Sequence, residues 1–241
     1  MTRERLAAAA SICVLTGAGM SAESGIATFR DSISGLWSRF DPAQLASDEG
    51  FRADPALVWR WYAERRAGVQ AASPNAGHLA LAAFAQRHPG RLTVVSQNVD
   101  DLHQRAGNVD TIRLHGDILS DRWLDACPRP AACHTDLAAP GTPPRCDACG
   151  NLVRPGVVWF GEDLPLQALQ AAEHAAQRCL VMLVVGTSGV VWPAAGLAAQ
   201  ARRHGAFVII VNPDASGIDD DAQLCLRGTA ARLLPAVLDG V

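Results

Sequence analysis

Short apolar runs alternating with Ala-rich stretches set the rhythm of this chain. Strands are predicted at 11–16, 92–96, 111–114, 180–185 and 206–211, with helical stretches between them. That alternation predicts an α/β fold with a parallel sheet. Two segments break it. The first, roughly 31–73, is rich in Trp and Arg and reads as helical around 55–70. The second, 118–155, holds Pro128, Pro130, Pro140, Pro143 and Pro144 and has little periodicity. Both read as excursions from the sheet that pack together as a smaller lobe.

Polar residues follow the predicted strands. Gln97-Asn98-Val99-Asp100-Asp101 comes after 92–96, His115-Gly116 after 111–114, Gly186-Thr187-Ser188 after 180–185, and Asn212-Pro213-Asp214 after 206–211. Any one of these is an ordinary turn. Together they converge on the place where open α/β sheets bind ligands, outside the carboxyl ends of the strands.

The first strand empties into Gly17-Ala18-Gly19-Met20-Ser21-Ala22-Glu23-Ser24-Gly25-Ile26-Ala27-Thr28-Phe29-Arg30. Gly17 and Gly19 let backbone turn sharply and approach a ligand, and the N-terminus of a following helix would offer its N–H groups to a pyrophosphate. Gly17-x-Gly19-x-x-Ala22 satisfies the looser dinucleotide fingerprint. A hydride-transfer enzyme should also carry an acidic residue closing a second strand about 20 residues on. Here Asp31 to Trp37 and Asp41-Pro42 read as loop, so the nucleotide reading survives and the redox reading weakens.

Composition narrows the partners. A net charge of −3 over 241 residues argues against general nucleic-acid or membrane binding. No apolar run approaches the roughly 20 residues that span a bilayer, and the cytoplasm is the expected compartment. All 21 basic residues are Arg, so the chain carries no side-chain lysine of its own. Of the seven cysteines, Cys13, Cys179 and Cys225 sit in apolar runs and read as buried thiols, whereas Cys127, Cys133, Cys146 and Cys149 share one polar segment.

Gly17-Ala-Gly-x-Ser-x-x-Ser-Gly-Ile-x-x-Phe-Arg30, Gln97-Asn-Val-Asp100, Leu114-His-Gly116, Val157-Val-Trp-Phe-Gly-Glu162, Gly186-Thr-Ser188 and Asn212-Pro-Asp214, in that order, resemble the sirtuins, NAD-dependent protein-lysine deacylases. The resemblance implies a Rossmann-like large domain, approximately 1–30, 74–117 and 156–241. It implies a smaller inserted domain, approximately 31–73 and 118–155, with NAD and substrate meeting in the cleft. Gly17, Ala18, Gly19, Ser21, Ser24, Gly25, Ile26, Phe29, Arg30 and Trp37 would form the cofactor loop. Gln97, Asn98, Val99 and Asp100 would hold ribose and nicotinamide carboxamide, with Asn98 and Asp100 in the catalytic set and His115 as general base. Gly186, Thr187 and Ser188 would contact phosphate and ribose, and Asn212, Pro213, Asp214 and Ala230 the adenosine end. Val157, Val158, Phe160, Gly161 and Glu162 would pair with an extended acyl-lysine peptide by strand addition. The expected partners are acyl-lysine proteins or peptides, and the chain is expected to act as a monomer. Ala27 stands where many relatives carry proline.

The chemistry is coherent with these residue types. Cleavage of a nicotinamide–ribose bond builds positive charge on the sugar, which carbonyl and carboxylate dipoles stabilise. A base working near neutral pH must then deprotonate a ribose hydroxyl, and histidine suits that pH.

Tyr62, the sole tyrosine, lies in Trp59-Arg-Trp-Tyr-Ala-Glu-Arg65. On a helix, Val58, Trp61, Tyr62, Arg65 and Val69 share a face. An aromatic packing face with a snorkelling arginine is the plain structural reading. Tyr-x-x-Arg is also similar to the signature of the sirtuin subclass that removes negatively charged acyl groups. A guanidinium can grip a carboxylate through two N–H bonds, and the phenol adds a third donor. Desuccinylation and demalonylation matching or exceeding deacetylation are therefore expected.

Cys146-x-x-Cys149 has the spacing of a zinc half-site. The resemblance calls for a second Cys-x-x-Cys soon after His115-Gly116, but Asp121 to Ala126 stands there, leaving Cys127 and Cys133, or His134, to complete a structural zinc. A metal-free lobe held by Trp123, the prolines and local packing is the alternative. Two other functions compete with the deacylase. A mono-ADP-ribosyltransferase would have no need of the Tyr62 and Arg65 clamp, and a non-catalytic NAD or acyl-lysine reader could lose Asn98, Asp100 and His115.

Overall fold

The structure, a computed structural model, describes residues 2–27, 41–127 and 141–241. In chain order its elements are α1 (Thr2–Ala8), β1 (Ile12–Thr16), α2 (Pro42–Leu45), α3 (Asp48–Ala53), α4 (Pro55–Ala71), α5 (Ala76–Arg87), β2 (Leu92–Ser96) and α6 (Leu102–Ala106). There follow β3 (Ile112–Arg113), β4 (Gly116–Trp123), β5 (Val153–Val157), α7 (Leu166–Arg178), β6 (Val181–Val185), α8 (Gly196–Arg203), β7 (Phe207–Val211), β8 (Leu224–Leu226) and α9 (Ala230–Leu238). They fall into two units. The described residues within 1–28, 72–115 and 164–241 make the first, and those within 29–71 and 116–163 the second.

The first unit is a six-stranded parallel sheet in the order β3-β2-β1-β6-β7-β8. Its apolar strand runs are nearly continuous because both faces are covered, as parallel sheets require. Alternate side chains serve opposite layers. Cys13, Leu15, Val95, Met182, Val184, Val208 and Ile210 pack with α7 and α8, while Ile12, Val14, Leu183, Val185, Ile209 and Val211 pack with α1, α5 and α9. The order places β1 and β6 side by side at the centre, with successive strands added outward on either side, which is the Rossmann-like arrangement. β8 was not among the predicted strands, since three residues generate no readable run. No described helix is long and apolar enough to cross a membrane.

The second unit joins the two polar excursions. Pro55 opens α4 in the first helical position, where its missing N–H costs nothing, and Asp54 caps the helix by accepting from the Leu57 N–H at 2.9 Å. Val58, Trp61, Tyr62 and Val69 are its buried side chains. Asp41-Pro42, read from sequence as loop, begins the short α2, where the Asp41 carbonyl accepts from Gln44 and Leu45. The Pro-rich segment around 118–155 contains an antiparallel pair, β4 with β5, that periodicity did not reveal. A register shift between Gly116 and Asp121, together with Pro155 inside β5, breaks the alternation a strand normally displays. This pairing carries 156–163 into the second unit, so the boundary lies later than the expected 155/156.

Within the first unit, α5 and α6 bury two histidines against each other. Asn75 caps α5 in a capping box with His78, whose Nδ1 accepts from the Asn75 N–H at 3.3 Å. The rings of His78 and His103 meet edge to face, 4.8 Å apart, and His103 Nε2 lies 3.1 Å from Thr16 Oγ1. Among the described residues, the remaining nitrogens, His78 Nε2 and His103 Nδ1, have no hydrogen-bond partner. Burial pushes His78 down to about 4, and burial with the neighbouring His78 pushes His103 down to about 3. The unfolded chain therefore binds more protons than the folded one below the ordinary histidine value of about 6.5. Stability should be fully present above that pH and fall as pH drops from about 6.5 through 4, by roughly 1.4 kcal/mol per pH unit for each proton. Denaturant titrations across this range should show the slope, and His78→Gln should flatten it by about one proton; an unchanged slope would rule the pair out as its source.

Candidate functional site

The central strands of the first unit end at the point from which the chain departs in opposite directions, and the loops that follow β1 and β6 meet there. Gly17 N–H donates to the Val185 carbonyl at 2.9 Å and Gly19 N–H to the Gly186 carbonyl at 2.8 Å. A Cβ on Gly19 would lie 2.8 Å from Gly186 Cα, and one on Gly186, whose φ is +61°, would lie 2.4 Å from the Met20 nitrogen. Contact of backbone with backbone is thus by itself enough to require these glycines. The expected helix N-terminus is also replaced, among the described residues, by two 3-10 turns, Ala18–Met20 and Ala22–Ser24, ended by Gly25 at φ +83°. Asn75 fastens the loop by donating to the Met20 carbonyl at 2.8 Å and to Ser24 Oγ at 3.0 Å. Glu23 fastens it to α9 by accepting from the Ala231 N–H at 3.0 Å. Ala18 and Ile26 are half-buried along it. Phe29, Arg30 and Trp37 lie outside the described residues.

Beside this loop the end of β2 supplies a connected polar group. Asn98 Nδ2 donates to Ser21 Oγ at 3.1 Å, and Ser21 Oγ donates in turn to Asp100 Oδ2 at 2.9 Å. The Leu102 N–H reaches Asp100 Oδ1 at 3.1 Å. All three side chains are buried. Burial raises the Asp100 carboxyl above its ordinary value, against the Leu102 and Ser21 hydrogen bonds that stabilise its charge. Arg113 holds the carbonyls of Val99 and Asp100, each at 3.1 Å, and so fixes the path of this segment.

His115 follows β3, with its Nδ1 2.7 Å from the Gln97 carbonyl oxygen. A carbonyl can only accept, so Nδ1 carries the proton and Nε2 is left with its lone pair. Burial lowers the His115 pKa, the Gln97 hydrogen bond opposing, and so favours the neutral ring. Gln97 also donates from Nε2 to Thr187 Oγ1 at 3.2 Å, linking the ends of β2 and β6. Asn212 Nδ2 donates to the Thr187 carbonyl at 3.3 Å, which brings in the end of β7. Ser188, Pro213 and Asp214 are exposed nearby in sequence. Ala230 instead lies in the apolar core as the first residue of α9, 3% exposed.

In the second unit, Val157 is the last residue of β5, paired with Gly116, and Val158 is half-buried. The chain then turns. The Glu162 N–H donates to the Trp159 carbonyl at 3.1 Å, Gly161 sits at φ +87°, and Phe160 N–H donates to the Ala46 carbonyl at 2.9 Å. The stretch expected to pair with a peptide is therefore partly committed within the unit. Glu162 is committed too. Its carboxylate accepts from Arg154, from Arg122 at 2.8 and 2.9 Å, and from the Trp159 N–H at 2.8 Å. Burial pushes the Glu162 carboxyl up, but these donors outweigh it and hold it below the usual range. Tyr62 is 2% exposed and accepts a 3.0 Å hydrogen bond from Trp159 Nε1. The Arg65 guanidinium lies 4.7 Å from the Trp61 ring centre and 5.6 Å from that of Tyr62, with its pKa lowered by burial. Sequence reading placed Tyr62 and Arg65 on one face but missed Arg154 and Trp159, although a charged residue just before Pro155 and a donor-only indole in an apolar run both invite a buried partner.

Cys146 and Cys149 stand on a tight turn closed by Gly150 N–H to the Cys146 carbonyl at 2.8 Å. Such a turn suits two thiolates of a tetrahedral site. Among the described residues, however, no group of three or more His, Cys, Asp or Glu is placed to hold a metal. Cys127 is described, whereas Cys133 and His134 lie outside the described residues.

Comparison with known proteins agrees with this geometry. Residues 17–193 match the Sir2 family. A protein of Ralstonia nicotianae named NAD-dependent protein deacylase is 53% identical over 236 residues, covering 98% of this chain and 94% of that one. A Sir2 homologue solved as an NAD complex superimposes with a TM-score of 0.85 at 40% identity, over 98% of this chain and 91% of the other. Sir2Tm bound to a propionylated peptide gives 0.82 at 30% identity, over 98% and 95%. The chain belongs to the Sir2 family.

Proposed function

We propose that this protein is an NAD-dependent protein-lysine deacylase that removes succinyl and malonyl groups at least as well as acetyl groups. The observation that carries the reading is the His115 imidazole, whose Nδ1 sits 2.7 Å from the Gln97 carbonyl oxygen and so leaves the Nε2 lone pair available, while burial disfavours the charged ring. That is the form a general base needs at neutral pH. The linked ends of β2, β6 and β7 and the loop after β1 fit a dinucleotide at the reversal of strand order. Gly17 to Ser24, Gln97 to Asp100, Gly186 to Ser188 and Asn212 to Asp214 would hold it. When bound, NAD supplies a nicotinamide–ribose bond whose cleavage makes the sugar electrophilic toward the acyl oxygen. The chain's own part is to present the buried polar set of Ser21, Asn98 and Asp100 to that sugar and to accept a hydroxyl proton at His115 Nε2.

Tyr62 and Arg65 support the choice of acyl group. They are neighbours on one face of α4, and a guanidinium beside a phenol donor is matched to a carboxylate at the end of a short acyl chain. Cys146 and Cys149, with Cys127 and Cys133, are further proposed to hold a structural zinc.

The test is incubation with acetyl-, succinyl- and malonyl-lysine peptides with and without NAD, following nicotinamide and acylated sugar by mass. Both products should form only with NAD, and their absence for every peptide would refute the enzyme reading. Label from NAD appearing on the peptide, without deacylation, would favour ADP-ribosyl transfer. Tyr62→Phe combined with Arg65→Met removes the charge-assisted hydrogen bonds, worth roughly 1.5–3 kcal/mol each. It should lower succinyl-lysine kcat/KM by about 10-fold or more while acetyl-lysine turnover largely persists; equal loss on both would count against the clamp. Metal analysis of the purified protein should find about one zinc per chain, and a value well below that would exclude the four-cysteine site.

A further inference from the structure

The hydroxyl of Tyr62 has one proton to give and two lone pairs to fill. One lone pair is taken by Trp159 Nε1–H at 3.0 Å. An indole nitrogen only donates, so the direction of this hydrogen bond is settled, and the Tyr62 proton is turned away from Trp159 toward some other acceptor. Both side chains are 2% exposed, which leaves water little part in the choice. In such surroundings a hydroxyl that accepts one hydrogen bond donates the next more strongly.

Trp159 is itself held on several sides. The Arg154 guanidinium stacks on its ring, 3.2 Å from the centre, and the Phe51 ring packs against it at 5.3 Å. Its backbone N–H is tied to Glu162, the same carboxylate that holds Arg154. The indole is therefore fixed in place by Arg154, Phe51 and Glu162.

We propose that Trp159 is a positioning residue for acyl-group choice: its indole N–H aims and polarises the Tyr62 hydroxyl as a donor toward the carboxylate of succinyl- or malonyl-lysine. The inference rests on the reading of Tyr62 and Arg65 as the acyl clamp. It adds that the clamp works as a relay in which Trp159 acts only through Tyr62.

A double-mutant cycle tests it, reading the ratio of succinyl- to acetyl-lysine kcat/KM. Trp159→Phe removes the donor and keeps an aromatic ring, and should lower that ratio about 3- to 10-fold, the worth of a neutral hydrogen bond. In a Tyr62→Phe background the same change should lower it no further, because the group it acts through is already gone. Benzothienylalanine at position 159 replaces N–H by sulfur in a bicycle of nearly the same shape, and should reproduce the effect where phenylalanine leaves a cavity. An unchanged ratio in both position-159 variants, including equal loss on the two substrates, overturns the relay, as does a further fall in the Tyr62→Phe background. Absence of desuccinylation by the unaltered protein is a separate result, which overturns the proposed substrate class and this role with it.

Discussion

Everything in the first unit is arranged around a place where two backbones touch. The turns after β1 and β6 come so close that hydrogen atoms at positions 19 and 186 fill the space a side chain would need. Because these strands are neighbours in a sheet whose order reverses between them, their turns meet at the sheet's natural binding edge. The close approach in turn fixes the start of the loop carrying Ser21 and lets Gln97 reach Thr187. The polar groups near the strand ends are therefore held by their place after the strands and by hydrogen bonds to one another.

The second unit solves a different problem, that of keeping charge inside. Arg154 is 1% exposed, and a guanidinium so deeply placed is tolerable only when its donors are satisfied. Glu162 and the Val157 carbonyl satisfy them, and the Trp159 ring covers the flat face. The same residues that neutralise the cation fold the 157–162 segment into a turn. Electrostatic satisfaction and local shape are here one arrangement.

The sheet was legible in the sequence because parallel strands covered on both faces read as unbroken apolar runs, and β1, β2, β6 and β7 fall almost residue for residue where those runs lie. β4 and β5 were illegible for a matching physical reason. A register shift and an internal proline erase the period of two, and Arg154 puts a charge at a buried position. At the candidate site, residue types were readable and their partners were not. Asn98, Asp100 and His115 could be picked out at strand ends, but nothing in their spacing told that Ser21 bridges the first two or that the Gln97 carbonyl sets the tautomer of the third. Glu162 was placed by its motif in a stretch that pairs with peptide through its backbone, and nothing in that motif told that its carboxylate holds the buried Arg154. Hydrogen-bond direction is a property of the fold, and sequence records only the capacity for it.

The Trp159–Arg154–Glu162 arrangement bears on how specificity could be moved between proteins of this fold. Tyr62 and Arg65 lie three positions apart on one helix and look like a portable cassette, easily grafted by two codon changes. The indole that donates to the tyrosine lies about a hundred residues further along the chain, in the turn after β5. If Tyr62 and Arg65 choose the acyl group as proposed, a graft of the helix positions alone would carry the letters of the specificity without its grammar, and the smallest transferable unit would span α4 and the turn after β5 together.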